Sequence, residues 1–223
     1  MPTAPMASSL ADYCYTVLRD RLVMLDIAPG EPIHESSLAE ELEVGRTPLR
    51  EALKRLETDH LVVFYSRRGT FAAAADLSDL HHLTEMRAIL EPAGARKAAE
   101  QANESQREEL RTLAEEINKL MGSQPEARTL IEYDLAAHRA IYRLISNPHM
   151  RETLFRLDNL ATRLWWSVIQ RVPSVADHIA GHRALLEAVA DGAADLAEEL
   201  AREHVTEFNR KLRQAVVRED VGG

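Results

Sequence analysis

Residues 44–53 read VGRTPLREAL, and this stretch decides the fold of the N-terminal part of the chain. Leu49 and Leu53 recur at helical spacing, so the stretch is predicted to form a short helix with one apolar face. Arg46 and Arg50 lie four residues apart and therefore share a second, exposed face. Because an arginine can donate two hydrogen bonds to O6 and N7 of a guanine, this face is predicted to bind DNA.

The segments before this helix predict a helix-turn-helix. Residues 35–42 carry apolar side chains at helical spacing, and residues 43–45 form a tight turn that leads into the arginine-bearing helix. A first helix is predicted over residues 10–25, and it stops before the Pro29-Gly30 pair.

A β-hairpin is predicted to follow the helix-turn-helix. Residues 61–65 are rich in β-branched and aromatic side chains, as is typical of a strand, and residues 66–69 form the turn into a second strand. Arg67 and Arg68 stand at the tip of this hairpin, and Gly69 suits the turn. Such a tip can lie against phosphates or enter a minor groove, so the whole unit is predicted to be a winged helix-turn-helix.

The local charge favours DNA as the partner. Residues 46–70 contain six basic and three acidic side chains, whereas the whole chain has a formal net charge of −9. An acidic protein with one basic face has the electrostatic footprint of a nucleic-acid-binding protein. An ordinary solvated helix face is the alternative interpretation of the same basic residues.

These motifs resemble the GntR family of bacterial transcription regulators. The resemblance covers roughly residues 10–75 and includes Pro29-Gly30, Leu38-Ala39, residues 44–53 and Arg68-Gly69. It implies DNA contacts by the recognition helix and the wing, at Arg46, Thr47, Arg50, Arg67, Arg68 and Gly69. Two residues depart from the family pattern, because Gly45 stands where serine is usual and His60 where glycine is usual. Glycine can still cap a helix, but a hydroxyl contact to phosphate is lost.

Composition and punctuation predict a mainly α protein with two domains. The chain has 223 residues, of which 45% are hydrophobic, enough to bury two modest cores. We place the winged helix-turn-helix at residues 8–75 and an all-helical domain at residues 76–220. The sequence suggests neither a signal peptide nor a membrane span. Cys14 is the only cysteine, which fits the reducing cytoplasm.

The second domain is predicted to be an antiparallel bundle of about six helices. After a short linker, helical periodicity continues and is interrupted by Asn, Gly and Pro rather than by strand-like alternation. The predicted helices cover residues 77–101, 104–121, 126–146, 148–171, 174–190 and 193–217.

Two polar residues interrupt the apolar stripe of the third helix in this bundle. Asp134 and His138 lie one turn apart on the face predicted to be buried, where unpartnered polar groups cost several kcal/mol. His182 and His204 are equally far from the turn near Gly192, so they should face each other in an antiparallel hairpin. One carboxylate and three imidazoles at one level predict a divalent metal site, with zinc as the first choice and nickel or manganese as alternatives.

Two alternatives stay open at this site. The four side chains could form a hydrogen-bonded polar network in the core without any metal. His178, one turn from His182 on the same face, could also replace it as a ligand or support the ligands from outside.

The same four positions resemble the FCD domain, the C-terminal ligand-binding domain of the FadR-like subfamily of GntR regulators. Six helices rather than seven resemble the VanR-type branch of that subfamily. Arg87 matches the family's helix-borne arginine, which the resemblance places at an effector pocket. Judged from the residues alone, Arg87 faces inward and could hold a carboxylate, or it could pair with Glu91 on the next turn.

Together these features predict a cytoplasmic, ligand-responsive transcription regulator. The winged domain would bind double-stranded operator DNA, and a small organic-acid effector would bridge the metal and Arg87 and change operator affinity. The resemblance implies a homodimer, whose paired DNA-binding heads suit a palindromic operator. A metal-dependent hydrolase is the rival hypothesis, although the histidine-glutamate-x-x-histidine motif is missing from the sequence. The third hypothesis is a DNA-binding protein with a purely structural bundle, in which the metal only locks the helices.

Overall fold

The computed structural model describes residues 9–169 and 175–217. The chain divides into two compact units between Asp76 and Leu77. The N-terminal unit contains, in chain order, α1 (Leu10–Val23), β1 (Pro32–Ile33), α2 (Glu35–Glu41), α3 (Arg46–Thr58), β2 (Val62–Tyr65) and β3 (Gly69–Ala72). The predicted helix-turn-helix therefore consists of α2, the turn that follows it, and α3.

The wing is a three-stranded antiparallel sheet rather than a simple hairpin. Strands β2 and β3 form the predicted hairpin, and β1 pairs with the other edge of β3. The sequence analysis missed β1 because a strand of two residues is too short to show alternation. At the tip of the wing, Gly69 has a φ of 99°, a conformation that glycine adopts without steric cost.

His60 is one of the residues outside glycine that have a left-handed backbone. Its φ is 61° where the chain leaves α3 and turns toward β2. A side chain with a Cβ atom is disfavoured in this conformation, whereas glycine is not. This turn therefore suits glycine, and His60 adopts it at some conformational cost.

The core of the N-terminal unit lies between α1 and α3, which pack against each other. Leu49, Leu53 and Leu56 of α3 are fully buried, which confirms the apolar face predicted for this helix. Leu18 and Leu22 of α1 are fully buried as well. Burial of this face fixes the rotation of α3 and leaves its arginine-bearing face toward solvent.

The C-terminal unit is helical throughout its described part. After a 3-10 turn at Leu77–Asp79 it contains α4 (Leu80–Gln101), α5 (Glu104–Met121), α6 (Ala127–Arg143), α7 (Pro148–Val168), α8 (Val175–Ala190) and α9 (Ala194–Val217). The predicted fold class, a winged helix-turn-helix followed by a bundle of about six helices, is confirmed. Within the described ranges, no helix combines the length and apolar character that crossing a membrane requires.

Some helix boundaries differ from the predicted ones. The first bundle helix begins at Leu80 because the preceding residues form the 3-10 turn. Helix α6 ends at Arg143, since Asn147 caps α7 and the residue before Pro148 avoids the helical conformation. The predicted end of the fourth helix and the predicted start of the fifth, at residues 171 and 174, lie outside the described residues.

Helix α4 is central to the bundle, because it contacts α6, α7, α8 and α9. It carries two buried charged side chains, Arg87 and Glu91. Buried polar side chains also come from the helices around it, among them Asp134, His138 and Asp158. The apolar core of this unit therefore encloses a polar centre.

Substitution of Leu53 by alanine tests the packing of α3. We expect Leu53→Ala to lower the free energy of unfolding of the N-terminal unit by about 2–5 kcal/mol, because it leaves a cavity beside α1. Denaturant unfolding of the full chain, monitored by hydrogen exchange within residues 10–72, measures the change in this free energy. Lys54→Ala, at the neighbouring exposed position, is the control and should change stability by less than about 0.5 kcal/mol. Equal stability of the two variants would contradict the assignment of the core.

Candidate DNA-binding surface and metal centre

A groove in the N-terminal unit runs between α3 and the wing. Arg46 and Arg50 of α3 line it together with Arg68 and Gly69 of the wing. All four residues are exposed. Thr47 and Arg67 are also exposed, but they do not line this groove. The structure therefore brings three of the predicted DNA-binding arginines to one surface.

Glu35 lies in the same groove and was missed by the sequence analysis. Its Oε2 accepts a hydrogen bond from Arg50 Nε at 2.8 Å, and its Oε1 accepts one from Thr70 Oγ1 at 3.3 Å. The Arg50 side chain nevertheless remains 65% exposed. Glu35 thus connects α2, α3 and the wing and gives Arg50 a preferred direction. Arg50 and Thr70 are 15 and 35 residues away from Glu35 in the sequence, so no local pattern predicts these contacts.

Arg55 faces a different neighbour, although it also belongs to α3. Its Nη1 donates to Asp12 Oδ1 at 2.6 Å, and its guanidinium carbon lies 4.2 Å from the centre of the Tyr15 ring. The Tyr15 hydroxyl in turn donates to Asp59 Oδ2 at 2.6 Å. These contacts tie the C-terminal half of α3 to α1. Arg55 therefore packs the unit together, while Arg46 and Arg50 face the groove.

The four residues predicted as metal ligands come together inside the C-terminal unit. Helix α6 supplies Asp134 and His138, α8 supplies His182, and α9 supplies His204. One ligand atom from each lies within 4.8 Å of the other three, and all four residues are buried. The antiparallel arrangement of α8 and α9 places the two later histidines at the same level, as their spacing from Gly192 predicts.

The spacing of the ligand atoms fits a divalent ion. His138 Nε2 lies 3.2 Å from His182 Nε2, and Asp134 Oδ1 lies 3.5 Å from His182 Nε2. Ligand atoms about 2.0–2.1 Å from a tetrahedral zinc ion are about 3.3 Å from one another, so these two pairs already fit. Asp134 Oδ1 and His138 Nε2 are 3.9 Å apart and would have to move closer together. Asp134 Oδ1 and His204 Nε2 have no hydrogen-bond partner among the described residues, and a cation would satisfy both.

Burial determines the protonation of these side chains. Loss of solvent lowers the pKa of His182 to about 4 and lowers the pKa values of His138 and His204 well below 6.5. The imidazoles are therefore neutral at pH 7, which is the form that offers a lone pair to a metal. Burial raises the pKa of Asp134, because the charged carboxylate loses its contact with water. A cation bound nearby would stabilise this charged form.

A chain of hydrogen bonds orients His138. Its Nδ1 lies 3.1 Å from the Tyr142 hydroxyl, and that hydroxyl also hydrogen-bonds to Glu91. Burial raises the pKa of Tyr142 well above its ordinary value, so the hydroxyl keeps its proton. When the hydroxyl donates to Glu91, it accepts the proton of His138 Nδ1. The Nε2 lone pair is then directed toward the other ligand atoms.

His178 borders the cluster without belonging to the four closest residues. Its Nε2 lies 3.5 Å from Asp134 Oδ1, the same separation as that of His182 Nε2. Its ring stacks on that of His204, with ring centres 4.1 Å apart. Both roles considered from the sequence, a replacement ligand and a supporting residue, are compatible with this position.

Arg87 reaches the same centre from α4. Its Nη2 lies 3.4 Å from His138 Nε2 and 3.7 Å from Asp158 Oδ1. Its Nε donates to Glu91, so the intrahelical pair considered as the alternative is present. The pair does not remove Arg87 from the centre, because Nη2 still faces His138. The pair with Glu91 and the contact with an effector carboxylate are therefore compatible roles for Arg87.

Comparison with protein families matches the two units separately. Residues 10–72 match the family described as bacterial regulatory proteins, gntR family, and residues 82–207 match the FCD domain, which covers more than half of the chain. The chain belongs to the GntR family and carries an FCD domain. GntR proteins with this domain form the FadR-like subfamily, and they are transcription regulators rather than enzymes. The metalloenzyme hypothesis therefore loses its basis.

Individual relatives of this GntR protein cover it to different extents. The Nta operon transcriptional regulator of Aminobacter aminovorans is 33% identical over 126 residues, which cover 56% of this chain and 59% of the relative, less than two thirds of its length. The solved structure of E. coli McbR/YncC has 21% identity and a TM-score of 0.77, covering 92% of this chain and 98% of that one. A GntR protein from Rhodococcus sp. RHA1 has 22% identity and a TM-score of 0.63, with 92% and 97% covered. The two structures share the fold.

Removal of His138 tests the metal centre. We expect the purified full chain to hold about one divalent ion and His138→Ala to bind it more than about 100-fold more weakly, because even changes outside the ligand shell cost 10- to 100-fold. Elemental mass spectrometry after dialysis against a graded chelator measures both affinities. His149→Ala removes an exposed histidine and should leave the metal content unchanged. Equal metal content in all three proteins would reduce the cluster to a polar network.

Proposed function

We propose that this chain is a ligand-responsive transcription regulator that binds operator DNA in the cytoplasm. The observation that carries the proposal is the exposed groove that Arg46, Arg50 and Arg68 line together. The two arginines of α3 suit guanine edges in a major groove, and the wing suits phosphates or a minor groove. The proposed DNA contacts are made by Arg46, Thr47, Arg50, Arg67, Arg68 and Gly69.

The buried cluster would hold the regulator's metal ion. Three imidazoles and one carboxylate favour zinc, and nickel or manganese are the alternatives. The support comes from the short separations among the ligand atoms and from the unpartnered atoms of Asp134 and His204. When bound, the ion would supply positive charge, and an anionic ligand would reach it as a fifth ligand or in place of one of the four side chains.

The effector is proposed to be a small organic acid that lies between this centre and Arg87. Arg87 Nη2 is 3.4 Å from His138 Nε2, so a single carboxylate could contact both the guanidinium and the metal. Arg87 is 4% exposed, and a carboxylate bound there would be shielded from water. Arg87 Nε already donates a hydrogen bond to Glu91, so binding of an acid would replace this hydrogen bond or change its geometry.

Effector binding would act through the population of bundle conformations. Arg87 and Glu91 belong to α4, which packs on four other helices, so a change in their contacts would affect the whole bundle. An effector shifts such an equilibrium only by its difference in affinity for the two arrangements. In a homodimer the shift would alter the spacing or mobility of two DNA-binding units on a palindromic operator. The six helices of the bundle favour the VanR-type branch for this chain.

A bundle in which the metal only locks the helices is the second candidate. The Arg87–Glu91 pair favours it, since part of the guanidinium is already satisfied within the protein. Metal occupancy without any acid-dependent change in operator affinity would support this candidate. Native mass spectrometry of the full chain would test the proposed dimer under both.

The recognition helix is tested by Arg50→Ala. DNA sequences selected by the wild-type chain from a random pool supply the operator for a fluorescence anisotropy titration. We expect the variant to bind this operator roughly 5- to 150-fold more weakly, which corresponds to about 1–3 kcal/mol, because one pair of base contacts is lost. Binding to unrelated DNA should change much less, since phosphate contacts dominate it.

Arg55→Ala provides the matched control for this experiment. It removes the same charge from the same helix, but from a side chain that contacts Asp12 and Tyr15 of α1. Its effect on operator affinity should be small once its thermal stability has been compared with that of the wild type. If both variants lose the same affinity for operator and for unrelated DNA, the groove does not read sequence and the recognition-helix assignment is wrong.

A further inference from the structure

Asp158 of α7 is a fully buried carboxylate. Its side chain is 0% exposed, and neither carboxylate oxygen has a hydrogen-bond partner among the described residues. Arg87 Nη2 approaches Oδ1 only to 3.7 Å, which is longer than a hydrogen bond. Burial raises the pKa of Asp158 to about 8, which reflects how little stabilisation the charged carboxylate receives. A buried acceptor of this kind calls for a donor from outside the described side chains.

The position of Asp158 relates it to the proposed effector site. Arg87 Nη2 faces Asp158 Oδ1 at 3.7 Å and His138 Nε2 at 3.4 Å. An effector carboxylate on Arg87 and a donor group on Asp158 would each lie about 2.8 Å from their protein partners. Because the two protein atoms are so close, one small molecule can contact both when its donor group lies close to its carboxylate. A hydroxyl or ammonium group on carbon 2 of the acid meets this condition.

We propose that Asp158 selects small acids that carry a hydroxyl or ammonium group on carbon 2, in preference to the corresponding unsubstituted acids. The inference rests on the proposed effector site and narrows the class of its ligand. Arg87 and the metal centre would hold the carboxylate, while Asp158 accepts a hydrogen bond from the group on carbon 2. An acid without this group leaves Asp158 buried and unpaired, which is the usual physical basis of strong discrimination.

The charge of the site favours the same class of ligand. Glu91, Asp134 and Asp158 bring three buried carboxylates to the neighbourhood of one guanidinium, that of Arg87. Each further negative charge is therefore opposed, and this crowding of carboxyl groups contributes with burial to the raised pKa of Asp158. A 2-amino acid with one carboxylate adds no net charge, and the corresponding 2-hydroxy acid adds one negative charge. An unsubstituted dicarboxylate adds two and supplies no donor.

Calorimetric titration of the zinc-loaded full chain with matched acids tests this inference. One set contains propionate, both enantiomers of lactate and both enantiomers of alanine, and the other contains succinate, malate and aspartate. We expect a substituted acid in at least one set to bind about 10- to 100-fold more tightly than the unsubstituted acid of that set. Equal affinities within both sets, or no saturable binding by any substituted acid, would overturn the inference.

The variant Asp158→Asn assigns the preference to this residue. It keeps the size of the side chain and replaces one carboxyl oxygen by an amide NH2 group, so we expect the preference for the substituted acid to disappear while the unsubstituted acid binds at least as well as before. Glu152→Gln changes an exposed carboxyl group on the same helix and should retain the wild-type preference. A preference that survives in a folded, zinc-loaded Asp158→Asn variant would contradict the assignment. Should that variant fail to fold, the wild-type comparison within the matched sets decides.

Failure of this inference can be told apart from failure of the proposed function. Zinc content and operator affinity in the absence of any acid are measured on the same preparations, and neither measurement involves the contact between an acid and Asp158. If the unsubstituted acids change operator affinity as strongly as the substituted ones, the effector site stands and the role of Asp158 is wrong. If zinc binds and no acid of either set changes operator affinity, the effector site and the role of Asp158 both fall, and the locking role of the metal is favoured.

Discussion

The burial of polar side chains at the centre of the bundle is the constraint on which the C-terminal unit depends. Asp134, His138, His182 and His204 bring polar atoms into a region without solvent, where unpartnered groups cost several kcal/mol. The three helices that carry them must keep their registers for these atoms to meet. A shift of one helix by a single turn, about 5.4 Å, would separate ligand atoms that now lie within 4.8 Å of one another. The cluster therefore constrains how the helices pack, and it is also a candidate metal site.

Polar contacts continue from this cluster into the neighbouring helices. The Tyr142 hydroxyl connects His138 to Glu91, and Glu91 pairs with Arg87 of α4. Arg87 in turn faces Asp158 of α7. A ligand that binds near His138 would therefore act on side chains from several helices at once. Because packed helices respond by switching between discrete arrangements, such a centre is well suited to a regulatory domain.

The N-terminal unit illustrates how neighbours divide the roles of identical side chains. Arg50 and Arg55 belong to the same helix, but Glu35 directs Arg50 along the groove while Asp12 and Tyr15 hold Arg55 against α1. The sequence analysis counted both as part of one basic face. Only the packing of α1 and α2 on α3 separates the arginine proposed to contact a base from the arginine that packs against α1.

The sequence by itself determined the helices, the β2–β3 hairpin and the convergence of the four buried polar residues. Helical periodicity gave α3 its buried leucines. His182 and His204 lie equally far from residue 193, next to Gly192, and this placed both at one level of the bundle. Such patterns are local, so they can be read along the chain. Strand β1, the Glu35–Arg50 contact and the approach of Asp158 to Arg87 were decided by the tertiary structure. These contacts join residues far apart in sequence, and no periodicity marks them, because only the packing of separate elements brings their partners together.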